Sequence, residues 1–159
     1  MRARLLAIAL AALAGLMLFG STGASAQVTL FAVLNGAGEC DGAIPPLCRQ
    51  GDLNGFGSAT IIFPTTTQVC FGITVDNLST VSAGHIHSGA TAINGPIEVN
   101  LSPASAISGN PNAWAGCVAA AAADVTAIKA NPANFYVNVH TTGSPPMGFP
   151  NGAVRGQLF

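Results

Sequence analysis

The chain has 159 residues, of which 7% are charged, and a formal net charge of −1. From Gln27 onward Arg49, Lys129 and Arg155 stand against Glu39, Asp41, Asp52, Asp76, Glu98 and Asp124, three minus six, or −3. So few cations cannot neutralise a run of phosphates, which excludes nucleic acid as a partner; a charged fraction far below the usual quarter or so describes a surface of Ser, Thr, Asn, Gly and Ala, suited to export.

Taken in chain order, Arg2 and Arg4 precede an apolar run from Leu5 to Phe19, and Ala24-Ser25-Ala26 follows. This is the pattern of a bacterial secretory signal peptide, residues 1–26, removed after Ala26. The run is about 15 residues, short of the roughly 20 that a bilayer span needs. The expectation is a secreted or periplasmic mature chain, residues 27–159, with no stable membrane anchor and the size of one domain.

Strand-like alternation then recurs at Val28 to Leu34, Gly57 to Phe63, Gln68 to Val75, Ala83 to His87, Pro96 to Leu101, Phe135 to His140 and Gly152 to Leu158. Gly55-Phe56-Gly57, Asp76-Asn77, Asn94-Gly95-Pro96 and Asn151-Gly152 supply turn chemistry between these runs. The pattern predicts an all-β fold, an antiparallel sandwich or barrel of about seven or eight strands. Val69, Phe71, Ile73 and Val75 share one strand face, as do Ile97, Val99 and Leu101, and both sets are expected in the core. The Ala-rich segment Ala119 to Ala130, with Asp124 toward its start and Lys129 near its end, predicts one short helix stopped by Asn131-Pro132. Gly38 to Leu53 and Ser102 to Gly116 read as long connections, the second carrying Trp114 as a core-packing residue at one end of the fold.

Cys40, Cys48, Cys70 and Cys117 all lie in the exported part, where thiols oxidise. Two disulfides follow; of three possible pairings Cys40–Cys48 and Cys70–Cys117 are favoured. Zinc ligation by these thiols is disfavoured because the sequence holds no Cys-x-x-Cys pair.

All three histidines lie in two alternating stretches, Gly84-His85-Ile86-His87-Ser88-Gly89 and Tyr136-Val137-Asn138-Val139-His140. Side chains at i and i+2 of a strand share a face, so His85 and His87 stand together and Tyr136, Asn138 and His140 do likewise. If Ile86, Val137 and Val139 face the core, every imidazole stands on the outer face. A three-nitrogen set of that kind suits copper and zinc alike. The plainer alternative is that the imidazoles hydrogen-bond to Tyr136, Asn138 or loop carbonyls. Arg155 is expected on the same face, attracting an anion or forming a surface pair with Glu98, a pair worth less than roughly 1 kcal/mol. Met147, a conceivable soft axial ligand, is expected to be a solvated loop residue. No Ser or Cys nucleophile accompanies the histidines, so no catalytic residue is assigned. The sequons at Asn77 and Asn100 are assigned no modification in a bacterial chain.

Ala83-Gly84-His85-Ile86-His87-Ser88-Gly89 with Asn94-Gly95-Pro96-Ile97-Glu98-Val99, then the stretch from Asn131 to Thr141, then Pro150 to Leu158, together resemble the CHRD domain, first named for repeats in chordin and found in secreted bacterial proteins. The resemblance covers nearly the whole mature chain and implies an immunoglobulin-like, Greek-key β-sandwich with no settled biochemical role. The chain departs from the family pattern in an expanded stretch from Gly38 to Cys48 and an extra Ser144-Pro145-Pro146-Met147-Gly148. A weaker similarity, to copper-zinc superoxide dismutases, rests on the His-x-His strand, a later strand-borne histidine and an arginine near the end. Here these are His85, His87, His140 and Arg155; the further histidines of a zinc site are missing. Three functions follow as expectations: a secreted binding module holding copper or, less favoured, zinc; a structural or adhesive module that binds an extracellular protein or polysaccharide without metal; and a zinc-free, dismutase-like copper enzyme.

Overall fold

A computed structural model describes residues 27–39, 50–101 and 112–159. The stretch expected to be a signal peptide and the expected Cys40–Cys48 pair lie outside the described residues. Among the described residues eight strands form one antiparallel sheet: β1 (Thr29–Asn35), β2 (Phe56–Thr65), β3 (Gln68–Asp76), β4 (Val81–Ser88), β5 (Ile97–Asn100), β6 (Ala113–Ala119), β7 (Phe135–Thr141) and β8 (Val154–Gln157). Their spatial order is β5-β4-β7-β8-β1-β2-β3-β6. β1, β2 and β3 are antiparallel neighbours in turn, as are β4 with β5 and β7 with β8, while β3 to β4 and β6 to β7 lead from one half of the sheet to the other in Greek-key fashion.

The sheet curls until its ends approach each other. At its middle, β1 and β8 share one ladder pair, Asn35 with Arg155, reinforced by reciprocal backbone bonds of 3.0 Å between Phe31 and Phe159. At the far side the Trp114 indole on β6 donates to the Leu101 carbonyl beyond β5 at 3.2 Å, nearly closing a barrel. The indole also crosses the interior to β4, where a Cβ on Gly84 would lie 3.1 Å from the ring. Gly84 therefore gives Trp114 the room that lets the two edges meet.

Alternation behaves as the sequence requires. Leu30, Ala32 and Leu34 of β1 are buried while their neighbours are exposed, and Val69, Phe71, Ile73 and Val75 are buried on β3. Ile86, Val137 and Val139 are fully buried, which sends the histidines outward. The single α-helix among the described residues, α1 (Ala122–Ala130), has Asp124 in its first turn and Lys129 in its last, and buries Val125 and Ile128 in the same core.

Three expectations change. The connection after Ser102 contains a strand, β6, whose small residues Ala113, Ala115, Gly116 and Ala119 lack β-branched character and so masked its register with β3. The helix accordingly starts three residues later than composition suggested. Ile97 is 52% exposed, because the β4–β5 ladder shifts between Ile86 and His87 and places Ile97 opposite His87 on the outer face. A one-residue shift exchanges faces.

Cys70 and Cys117 face each other across the β3–β6 ladder and are joined by a disulfide at a sequence separation of 47. Replacing both by alanine is expected to destabilise the protein by about 2–4 kcal/mol, because the crosslink restricts the unfolded chain. Chemical denaturation of the double variant checks this; an unchanged midpoint would contradict it.

Candidate metal centre

In-register pairing of β4 with β7 builds the site. His85 lies opposite Asn138 and His87 opposite Tyr136, and His140 pairs with Ala83 in the same unbroken register. His140, two residues after Asn138 on β7, is therefore the diagonal neighbour of His85 on the same face. The ring centroids lie 4.9 Å apart for His85 and His140, 5.5 Å for His85 and His87, and 6.2 Å for His87 and His140. One ring nitrogen from each histidine falls within 4.8 Å of the others. Side-chain rotation closes such spacings to the roughly 3.3 Å that separates tetrahedral ligands 2.0–2.1 Å from an ion.

Backbone carbonyls decide which nitrogens are free. His87 Nδ1 lies 2.9 Å from the Gly95 carbonyl and His140 Nδ1 lies 3.0 Å from that of Pro150. A carbonyl only accepts, so both Nδ1 atoms carry the proton and both Nε2 lone pairs are bare in the neutral rings. His140 Nε2 then accepts from His85 Nδ1 at 3.1 Å. His87 Nε2 is buried with no hydrogen-bond partner. The Gly95 carbonyl reaches His87 because this residue passes so close to Ser88 that a Cβ there would collide with the Ser88 carbonyl.

Burial discourages protonation of all three rings. His85 is lowered to about 4, first by desolvation and then by the other two imidazoles. His87 and His140 are also lowered, by desolvation above all, against the opposing pull of the Gly95 and Pro150 carbonyls. The face thus presents neutral imidazoles, the form that binds metals.

The outer face of β7 is not a solvent surface. Tyr136, Asn138 and Arg155 are 1%, 4% and 2% exposed. The segment 89–95 covers one side: Arg155 donates to the Ala90 and Ile93 carbonyls at 2.8 and 3.0 Å and to Asn94 Oδ1 at 3.1 Å. Its guanidinium lies 3.4 Å from the Tyr136 ring centroid. The expected surface pair with Glu98 is therefore corrected. Once the covering segment buries Arg155, its donors turn to loop carbonyls and Glu98 remains half-exposed on β5.

Met147 is 81% exposed, and Trp114 is core. Glu39, which sequence patterning did not single out, is buried with Oε1 unpartnered, and desolvation raises its carboxyl to about 7 against Arg155 and an Asn138 hydrogen bond. Its place in an irregular connection gave no periodic signal, and the Gly95 and Pro150 carbonyls, as backbone atoms, have no signal at all.

The profile of the CHRD domain matches residues 30–158. The chain belongs to the CHRD domain family. No curated protein and no solved structure matches it. The stretches that carry the family likeness fold into the contiguous half β5-β4-β7-β8, the half of this CHRD domain that holds the histidines. Among the described residues no helix is long and apolar enough to cross a membrane.

Acid should unsettle this face. An unfolded histidine takes a proton near 6.5 but folded His85 resists until about 4, so its contribution to stability is full above 6.5 and is lost as pH falls toward 4. Glu39 acts in the opposite sense: raised to about 7 from 4.5, it favours the fold most below 4.5 and loses that contribution as pH rises through 7. Comparing wild type with His85→Gln cancels Glu39. The melting temperature of the wild type should fall more steeply from pH 6.5 to 4.5 than that of the variant; parallel profiles would contradict the assignment.

Proposed function

We propose that this CHRD domain is an exported binding module that holds one transition metal ion, copper in preference to zinc, through His85, His87 and His140. The observation that carries the reading is the buried, unpartnered Nε2 of His87 beside two other imidazoles. A buried polar atom without a partner is costly and uncommon in a finished structure, and a bound ion would satisfy it.

Further support comes from the carbonyls of Gly95 and Pro150, which hold the Nδ1 protons and leave lone pairs for an ion, as outer partners do around histidine-bound metals. Three neutral nitrogens suit copper and zinc, and copper binds such donors more tightly by the usual order of divalent ions. The disulfide and the signal-like N-terminal sequence favour export, where copper-binding thiols would be scarce.

The dismutase-like reading draws less support, because the guanidinium of Arg155 is engaged by the segment 89–95 and by Tyr136 instead of facing an open ligand position. An adhesive module without metal would use the same face as a hydrogen-bonded cluster, and protein or polysaccharide partners belong to that reading.

Titration of metal-stripped protein with copper and with zinc tests the proposal. The wild type should take up close to one equivalent, copper more tightly, and His85→Ala, His87→Ala and His140→Ala should each lose at least tenfold in affinity. Because all three imidazoles are held below their ordinary value, uptake should persist below pH 6.5 and fail only on further acidification. No uptake by the wild type, or equal binding by the three variants, would overturn it in favour of the adhesive module.

A further inference from the structure

We propose that Arg155 is the positioning residue that keeps His87 in its Nδ1-protonated form, acting through the segment 89–95 and through Tyr136. Its consequence for metal affinity rests on the metal reading above; its effect on the imidazole does not.

The chain of contacts is continuous. Arg155, 2% exposed on β8, sends its donors to the carbonyls of Ala90 and Ile93 and to the side chain of Asn94, all within one turn of chain. Gln157, two residues on and accepting from Arg155 at 3.1 Å, donates to the Gly89 carbonyl at 3.0 Å. The segment needs such anchoring: Gly89 sits at φ +147, and Ala92 at φ 63, a left-handed conformation that a side chain disfavours. Ala90 and Ile93, the two carbonyls that Arg155 grips, flank Ala92. Strained residues persist where their surroundings over-determine them.

What the segment delivers is Gly95. Its carbonyl accepts from His87 Nδ1 at 2.9 Å, and its N–H donates to the Tyr136 hydroxyl at 3.3 Å. Tyr136 in turn lies between the two groups at issue: the Arg155 guanidinium sits 3.4 Å from its ring centroid, and the His87 ring stacks on it at 5.0 Å with an interplanar angle of 9°. Arg155 thus reaches His87 by two routes, one along the backbone of the segment and one through the aromatic stack. His140 takes its carbonyl from Pro150, outside this network. That separation makes the role of Arg155 selective for one ligand.

Arg155→Lys keeps the charge but not the planar fork of donors, so it should release the segment without removing the cation. Metal-free wild type, Arg155→Lys and Tyr136→Phe would be labelled with nitrogen-15 at histidine and their ring tautomers read by long-range proton–nitrogen correlation at pH 7.5. In Arg155→Lys, His87 should pass from the single Nδ1–H form to a mixture with Nε2–H, while His140 keeps its Nδ1–H. If that variant fails to fold, Tyr136→Phe, which removes only the hydroxyl that Gly95 contacts, should show the same selective change. Copper affinity of a folded Arg155→Lys should fall about 10–100-fold, with an altered copper EPR signature. A folded variant in which His87 keeps its single form, or in which His87 and His140 change together, would overturn the proposal. Selective change at His87 in the variants, together with a wild type that takes up no copper, would instead sink the metal reading and leave this one standing.

Discussion

The antiparallel ladder between β4 and β7 governs the outer face, because pairing His85 with Asn138 and His87 with Tyr136 puts imidazoles from two strands on one side of the sheet and Ile86, Val137 and Val139 on the other. Burial of those three aliphatic residues stabilises by roughly 1.5–3 kcal/mol each, so the register cannot slip by one residue without exposing them and drowning the histidines in the core. The core therefore enforces the polar geometry. The same unbroken register pairs His140 with Ala83, which sets it diagonally beside His85 on that face.

A second constraint acts from above the sheet. Burying a guanidinium is costly unless its donors are met, and Arg155 meets them with two carbonyls, two side-chain amide oxygens and a tyrosine ring. The covering segment and the arginine are mutually dependent: the segment excludes water from the arginine, and the arginine satisfies carbonyls that water would otherwise have reached. This roof explains why Tyr136 and Asn138, polar residues on an outward face, are as buried as the core. It also explains why the imidazoles resist protonation. Glu39, nearby and uncompensated by a direct ion pair among the described residues, shows the same cost in its raised carboxyl.

The two ends of the sheet show how a small domain closes a barrel. Trp114 spans from β6 to the carbonyl of Leu101 and packs over Gly84, so one large ring and one missing side chain bring the edges together. The same glycine sits one residue before His85. Closure and site geometry consequently share a strand, and a larger residue at Gly84 would disturb both.

By itself the sequence determined the all-β class, seven of the eight strands, the helix, the inward set of aliphatic residues and the grouping of the histidines, because period-two alternation and turn residues are local properties that folding leaves intact. Its CHRD-like stretches also marked the half of the sheet that carries the site. Only the tertiary structure decided the remainder. β6 is a strand because β3 pairs with it, not because Ala113-Trp114-Ala115-Gly116 prefers to be extended; Ile97 faces outward because of a bulge that pairing creates; Arg155 is buried because a segment some 60 residues earlier folds over it, as its bonds to Ala90 and Ile93, separated by 65 and 62 residues, record. The tautomers of His87 and His140 depend on carbonyls of Gly95 and Pro150, and a backbone carbonyl is common to every residue. Where a property arises from which distant backbone comes within 3 Å, side-chain identity along the chain holds no trace of it.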